Sequence, residues 1–157
     1  MRVVLQRVSE AAVRIDKSVH GEIGTGLLVL VGIENEDTQD DINWLVKKIA
    51  NLRIFADNEG LMNLSLLDIQ GEALVISQFT LHAKTKKGNR PSYIKAARPE
   101  VAIPLYESFK TALSKTIGKP VASGEFGADM KAVSYTHLRA HETDSYLVCR
   151  LLLEKNA

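Results

Sequence analysis

Residues 73–81 read ALVISQFTL, an apolar run that passes directly into polar side chains. The aliphatic part, residues 73–76, is typical of a strand in the interior of a sheet. Polar groups that continue a buried strand must be hydrogen-bonded or take part in a function. The sequence therefore predicts a buried strand that ends in a candidate site, formed by Ser77, Gln78, Phe79 and Thr80.

The segments before this stretch predict further strands and one helix. Residues 2–33 alternate apolar and polar side chains as half-buried strands do, and the continuously apolar segment 26–33 suits a central strand covered on both faces. From Thr38 the apolar residues recur at helical spacing. Thr38 can cap this helix, and the acidic residues that follow lie at the positive end of its dipole. A short strand over residues 53–56 precedes a turn at 57–60.

The segment after the stretch predicts a second helix. We place its start near Pro104, because proline is tolerated in a first turn, and its end at residues 118–120, which read GKP. The order of elements is not a regular alternation of strand and helix. The sequence therefore predicts an α+β protein, a single compact domain with a mixed β-sheet or barrel-like core and two main helices.

The composition is that of an ordinary globular protein. The 157 residues are 45% hydrophobic and 25% charged, which fits one domain with its own core. No apolar stretch approaches the roughly 20 residues of a membrane-spanning helix, and the first residues lack the pattern of a signal peptide. Cys149 is the single cysteine, so no internal disulfide can form. We therefore expect a cytoplasmic protein with no membrane partner.

The polar end of the stretch suggests acyl-transfer chemistry. In a regular strand, Ser77 and Phe79 would lie on one face and Gln78 and Thr80 on the other. Backbone N–H groups and hydroxyls there could stabilise a carbonyl oxygen that becomes negative. The alternative is a strand end whose polar side chains only reach solvent. Thr80 and His82 could also form a nucleophile–base pair, although the chain has no Gly-x-Ser-x-Gly motif.

Residues 84–98, the basic loop, contain six basic residues and no acidic one. Gly88 and Pro91 indicate a loop, and Tyr93 could stack on a base. Because the net charge is only +1, contact with nucleic acid requires a local patch of this kind. The alternative is a solvated loop without a ligand. The basic residues are Lys84, Lys86, Lys87, Arg90, Lys95 and Arg98.

Residues 124–130 read GEFGADM and place small residues between Phe126 and Met130. Such a segment could line a flat pocket for a planar ligand. The alternative is a turn into a core strand. Elsewhere, His137 and His141 are four residues apart, but no third metal ligand accompanies them, so we expect no metal site.

Four motifs together resemble the bacterial D-aminoacyl-tRNA deacylases of the cytoplasmic type. They follow the order of that family over residues 1 to about 131. They are MRVVLQRV at residues 1–8, SQFTL at 77–81, GNRPSY at 88–93 with ARPE at 97–100, and FGADM at 126–130. The resemblance implies hydrolysis of the ester that joins a D-amino acid, or glycine mischarged on tRNA-Ala, to the 3′-terminal adenosine of tRNA. It implies no metal or organic cofactor and a homodimer with sites near the subunit interface.

The resemblance also implies roles for individual residues. The scissile ester would be lined by Ser77, Gln78, Phe79 and Thr80, with backbone N–H groups of the strand as the oxyanion hole. The terminal ribose 2′-OH would help to activate water. Arg7 would help to position the element that checks chirality. The adenine would lie in a pocket formed by Phe126, Gly127, Ala128 and Met130, and the acceptor-stem phosphates would meet Lys84, Lys86, Lys87 and Arg90.

The end of the chain departs from the family. The family carries an Asn-x-Gly-Pro-Val-Thr signature whose cis Gly-Pro pair enters the partner subunit's site and excludes L-amino acids. Here residues 136–141 read THLRAH, and Gly-Pro occurs nowhere in the chain. Residues 133–143 resemble a translated sequencing adapter. We therefore expect a deacylase-like domain over residues 1–131 and a tail over 132–157 that is not native, with a compromised chirality filter and an uncovered sheet edge.

Two other classes of function remain open from the sequence. A tRNA-binding module without catalysis would use the same basic loop and adenine pocket. A structural dimer would carry an inert polar strand end. Release of free amino acid from aminoacyl-tRNA separates the first of these from an enzyme, whereas salt-dependent tRNA binding does not.

Overall fold

The computed structural model describes residues 1–86, 88–128 and 130–135, and the backbone of residues 150–154. Within these ranges the α-helices are α1 (Gln39–Asn51) and α2 (Pro99–Ile117). The strands are β1 (Arg2–Val8), β2 (Glu10–Ile15), β3 (Ser18–Ile23), β4 (Gly26–Gly32), β5 (Phe55–Ala56), β6 (Met62–Leu64), β7 (Glu72–Ser77), β8 (Ala122–Ser123), β9 (Lys131–Tyr135) and β10 (Arg150–Glu154). The predicted α+β class with two main helices is confirmed.

The strands form one mixed sheet and two smaller antiparallel ones. The main sheet has the order β10-β1-β4-β7-β8, in which β1 is antiparallel to β10 and β4, while β4, β7 and β8 run parallel. A second sheet has the order β3-β2-β9, and β5 pairs with β6. Because β4 and β7 are parallel neighbours, their carboxyl ends lie at the same edge of the main sheet.

The main sheet is covered on both faces. Side chains such as Val29 and Val31 of β4 point into a core shared with the two helices. On the opposite face, Leu28 packs with Val13 of the second sheet in a separate core. Fully burying one such aliphatic side chain contributes about 1.5–3 kcal/mol, so both layers stabilise the strand. The predicted central position of residues 26–33 is confirmed.

The first helix begins where its sequence signals place it. The carboxylate of Asp41 accepts hydrogen bonds from the backbone N–H of Thr38 at 2.8 Å and from the Thr38 hydroxyl at 3.0 Å. Its apolar stripe, which includes Ile42, Leu45 and Ile49, is fully buried. The predicted cap and the predicted core face of α1 are confirmed.

The second helix begins earlier than predicted, at Pro99 rather than near Pro104. Pro99 occupies the first helical turn, where its missing N–H costs no hydrogen bond. Pro104 lies inside the helix on its exposed side, where the carbonyl left without a donor can bond to water. The predicted end is confirmed, because Gly118 takes a left-handed conformation and donates to the Ser114 carbonyl.

The stretch 73–81 is a strand only as far as Ser77, so the predicted alternation of side chains over residues 77–80 is wrong. The backbone N–H of Gln78 still donates to the Val31 carbonyl at 2.7 Å. Strand β4 ends one residue later, so the chain has no neighbour with which to continue pairing. It folds into a 3₁₀ turn, Phe79–His82, called the site turn below, with Ala83 N–H donating to the Thr80 carbonyl.

The prediction of an uncovered sheet edge is wrong, because the backbone of β10 pairs with β1 in antiparallel register. Strand β9 likewise pairs with β2. The predicted histidine pair, the single cysteine and the region 136–149 that would correspond to the Gly-Pro signature lie outside the described residues. In the part of the chain that the structure describes, no helix is long and apolar enough to cross a membrane.

Candidate functional site

A cavity of about 520 Å³ lies between the two larger sheets, at the carboxyl ends of β4 and β7. This volume is within the usual range for small-molecule sites. One wall carries the polar strand end and the other carries the small-residue segment that precedes β9. The predicted site residues in its lining are Ser77, Gln78, Phe79, Phe126, Gly127, Ala128 and Met130. The structure thus brings two separate predicted motifs together, which the spacing in sequence alone could not show.

The polar wall is formed by the end of β7 and the start of the site turn. Gln78 is held by its backbone bond to Val31, and its side-chain amide donates to the Thr80 hydroxyl oxygen. The N–H of Gln78 is therefore occupied and has no capacity for an oxyanion. As in any helical segment, the first N–H groups of the site turn, those of Phe79 and Thr80, have no acceptor within the turn. In the part of the chain that the structure describes, neither group has a backbone acceptor; Phe79 lines the cavity, and Thr80 follows it in the chain.

The cavity mouth is aromatic. Phe79 is 57% exposed, and its ring meets that of Tyr93 edge to face at a centroid distance of 5.2 Å. Tyr93 belongs to the basic loop, so this contact joins the loop to the site turn. The basic loop and the polar strand end are neighbours in space as well as in sequence.

The opposite wall rests on α2. The ring of Phe126 packs against that of Tyr106, with centroids 5.8 Å apart. The Tyr106 hydroxyl donates to the Val75 carbonyl at 2.8 Å, and burial raises the pKa of this phenol, which keeps it a donor. Phe126 is therefore supported from behind by a buried ring that is itself anchored to the main sheet.

Glycines shape this wall in two places. Gly127 has φ +81°, a backbone conformation that residues other than glycine rarely adopt. A Cβ at Gly124 would overlap the sulfur of Met130. Backbone conformation thus favours glycine at position 127, whereas a side chain at position 124 would make the flexible Met130 side chain move. The sequence indicated only small residues in a pocket.

The predicted Thr80–His82 pair is not formed. His82 is 1% exposed, and neither of its ring nitrogens has a hydrogen-bond partner within the described residues. Its Nδ1 lies 3.2 Å from Oε1 of Glu34. Since the Thr80 hydroxyl instead accepts from Gln78, the geometry does not provide an activated threonine nucleophile.

Arg7 and Thr80 do not belong to the described lining of the cavity. Arg7 donates from Nη1 to the Ile54 carbonyl at 2.7 Å, a bond that ties β1 to the segment after α1. Thr80 follows Phe79, the last residue of the polar wall, in the chain. These two residues are therefore placed beside the cavity rather than in it.

The basic loop is closed at its base and exposed along its length. Lys84 and Ser92 exchange two backbone hydrogen bonds, of 2.8 and 3.0 Å. The side chains of Lys84, Lys86 and Arg90 between and at these points are exposed. Lys87 lies outside the described residues. The described cations are thus exposed to solvent on the loop whose Tyr93 contacts Phe79 of the cavity lining.

Several cavity residues were not predicted from the sequence. Gln6 of β1 lines the cavity and donates from Nε2 to the Ser134 hydroxyl at 3.0 Å. Ala97 and Ala102, at the start of α2, also contribute. Gln6 falls within the first family motif, but Ser134 lies in the segment that the sequence assigned to a foreign tail.

Comparisons with known proteins place the chain in a family. A family model described as D-Tyr-tRNA(Tyr) deacylase matches residues 4–137. A D-aminoacyl-tRNA deacylase of Bacteroides thetaiotaomicron is 63% identical over 131 residues, and one of Porphyromonas gingivalis is 64% identical over the same length. Each alignment covers 83% of this chain and 87% of the relative.

Two solved structures share the fold. That of a c-Myc DNA unwinding element binding protein has a TM-score of 0.89 and 36% identity, and the alignment covers 100% of both chains. That of a probable eukaryotic D-amino acid tRNA deacylase has a TM-score of 0.74 at 18% identity, over 86% of this chain and 93% of the other. The family model covers the cavity walls, the site turn and the basic loop, and the chain belongs to the D-Tyr-tRNA(Tyr) deacylase family.

Proposed function

We propose that this chain hydrolyses the ester of D-aminoacyl-tRNA, and of glycine mischarged on tRNA-Ala, to release free amino acid and tRNA. The observation that carries the proposal is the cavity in which the Ser77–Phe79 wall faces the Phe126–Met130 wall. One wall offers polar groups to an ester, and the other offers an apolar, flat surface to a base. Membership of a family whose relatives are D-aminoacyl-tRNA deacylases supports the assignment.

In the proposed reaction, water adds to the ester carbonyl and the bond from the carbonyl carbon to the ribose 3′-oxygen breaks. The proton from water passes to that leaving oxygen. The oxyanion that forms on the carbonyl is stabilised by the free N–H groups of Phe79 and Thr80. The ribose 2′-OH of the substrate assists the attacking water, in keeping with the burial of His82, the last residue of the site turn.

The adenine of the tRNA 3′ end is proposed to lie against Phe126 and Met130. Gly127 and Ala128 between them leave the wall flat enough for a planar base. The acceptor-stem phosphates are proposed to contact Lys84, Lys86 and Arg90, whose side chains are exposed, together with Lys87. Arg7 is proposed to act on the chirality-checking element from beside the cavity.

We propose that the active form is a homodimer. Exposed apolar residues occur in the site turn and in the basic loop, among them Phe79 at 57% and Ile94 at 89% exposure. A group of this kind on a small domain is suited to contact with a second chain. Because aminoacyl-tRNA is the substrate, we propose that the enzyme works in the cytoplasm, where translation takes place.

The proposed enzymatic unit is residues 1–131, and residues 132–157 are proposed to be foreign to it. No Gly-Pro pair is present to exclude L-amino acids, so discrimination between D- and L-substrates is proposed to be weakened. The family model itself matches as far as residue 137.

A second candidate is a nucleic-acid-binding module without catalysis. The exposed cations of the basic loop favour it, as does the similarity to a c-Myc DNA unwinding element binding protein at 36% identity. Both candidates predict salt-dependent binding of tRNA, because both use phosphate contacts.

A single-turnover deacylation assay separates the two candidates. Matched D-, L- and glycyl-tRNA are incubated with excess enzyme, and release of free amino acid is measured alongside tRNA affinity. An enzyme releases amino acid at a rate that rises with enzyme concentration until it saturates. Tight tRNA binding without release above the spontaneous rate would establish the binding module instead.

A further inference from the structure

His82 is a buried imidazole that the proposed reaction does not use. It is 1% exposed, and its ring nitrogens have no hydrogen-bond partner among the described residues. Buried polar side chains are nearly always satisfied, so an exception calls for a reason. Its Nδ1 lies 3.2 Å from Oε1 of Glu34, a contact that is not aligned as a hydrogen bond.

The imidazole packs on the end of β4. A Cβ placed on Gly32 would lie 3.0 Å from Nε2 and Cδ2 of His82, and 3.0 Å from the Gln78 carbonyl oxygen. The bare backbone of Gly32 is thus what allows the ring and the Gln78 carbonyl to approach the central strand. His82 is the last residue of the site turn, and Phe79 at the other end lines the cavity.

Glu34 contacts more than the imidazole. It forms an isolated antiparallel bridge with Ala96, and the N–H of Ala97 donates to the Ile33 carbonyl at 2.8 Å. Its Oε2 is 4.0 Å from Nζ of Lys95. The carboxylate therefore lies between the site turn and the returning end of the basic loop.

We propose that His82 and Glu34 are positioning residues that hold the site turn against the end of β4. Their contact fixes Phe79 at the cavity wall and the N–H group of Thr80 beside it, where the proposed oxyanion forms. His82 does not transfer a proton and does not touch the substrate. This assignment rests on the proposed deacylase function. It adds the requirement that the site turn be held in place, which the cavity lining alone does not show.

The first test compares deacylation by His82→Leu, which keeps bulk but loses the polar edge, with His82→Asn, which keeps a donor near the position of Nδ1. Under saturating single-turnover conditions we expect His82→Leu to lower the rate constant more than about tenfold with tRNA affinity within about twofold. His82→Asn should recover most of the loss. In a double-mutant cycle, Glu34→Leu should add little to His82→Leu, because both remove the same contact.

A matched control separates positioning from general destabilisation. Leu113→Ala removes a fully buried side chain of α2 that is not part of the described cavity lining, and it should lower Tm without lowering the rate constant well below Tm. A His82→Leu protein that loses thermal stability but keeps the wild-type rate constant would overturn the proposal.

Hydrogen exchange gives a readout that does not depend on activity. The amides of Leu81 and Ala83 donate within the site turn, to Gln78 and Thr80. We expect both to exchange at least about tenfold faster in His82→Leu and to be unchanged in Leu113→Ala. Unchanged exchange in His82→Leu contradicts the positioning role of His82 and Glu34. Absence of deacylation by the unmodified chain, with exchange behaving as expected, would count against the proposed function and leave the His82–Glu34 contact as a feature of the fold.

Discussion

At the scale of single residues, Gln78 decides how Thr80 can act. The Gln78 amide donates to the Thr80 hydroxyl oxygen, and no imidazole is bonded to that oxygen within the described residues. We therefore expect Thr80→Ala to keep deacylation within about tenfold of the unmodified chain, whereas loss of one oxyanion donor typically costs about 10²–10³ in rate. The rate is measured with tRNA binding and the circular dichroism spectrum as controls. Complete loss of hydrolysis with binding and fold intact would favour a threonine nucleophile.

The free energy of unfolding should depend on pH through the Tyr106 phenol, which can be tested directly. Burial raises its pKa, so the folded protein holds a proton that the unfolded chain releases near its ordinary pKa of about 10. The stability that this group contributes is present below pH 10 and is lost as the pH rises toward the folded pKa. We expect the free energy of unfolding of Tyr106→Phe to be lower at pH 8, since the bond to Val75 is lost, and to fall less between pH 9 and 11. Parallel urea titrations of the two proteins check this, and identical slopes in that range would contradict it.

The sequence predicted some site residues well and could not predict others. Ser77 and Phe126 could be assigned because each lies in a short motif with a chemical pattern of its own. Gln6 and Ser134 could not, because their contact joins positions that are 128 residues apart and neither residue is unusual in its local sequence. Long-range contacts of this kind depend on strand pairing, which local patterns do not specify.

At the scale of elements, the start of α1 depends on one carboxylate. Asp41 accepts both the N–H and the hydroxyl of Thr38, which satisfies a backbone donor that the helix cannot pair itself. We expect Asp41→Ala to lower the free energy of unfolding by about 1 kcal/mol. Asp40→Ala is the matched control, because it removes a neighbouring first-turn acid that does not accept from Thr38 in the described contacts. Urea unfolding measures both, and equal losses would show that the helix dipole rather than the cap is responsible.

The two misplaced element boundaries have the same physical origin. The apolar-to-polar run at residues 73–81 is compatible with a longer strand, and what ends it is the end of β4 beside it. The start of α2 could not be fixed by Pro104, since Pro99 is equally compatible with a first turn. In contrast, α1 was predicted because its cap and its apolar stripe lie in one continuous segment.

At the scale of the whole molecule, β10 protects the edge of the main sheet. Its backbone pairs with residues Arg2 to Gln6 of β1, so removal would leave that edge unpaired. We expect a chain that ends at Tyr135 to self-associate beyond the state of the full chain and to unfold at a lower temperature. Light scattering over a range of concentrations checks the first effect, and thermal unfolding checks the second. A truncated chain that matches the full one in both measurements would show that β10 contributes nothing to the fold.

Substrate selectivity is a prediction for the whole molecule, because the Gly-Pro filter that the family resemblance implies would act in the partner subunit's site. The cavity walls keep the polar and aromatic residues on which the proposed ester and adenine contacts depend. Without a Gly-Pro pair, the full chain should deacylate D- and L-aminoacyl-tRNA with rate constants within about tenfold of each other, a difference of about 1.4 kcal/mol. Replacing residues 132–157 with the corresponding segment of the Bacteroides thetaiotaomicron relative should slow only the L-substrate, since the ester-binding wall is unchanged. The ratio of single-turnover rate constants measures this.

A strong preference for the D-substrate in the full chain would mean that the described cavity discriminates by itself, and it would remove the reason for treating the tail as a lost filter.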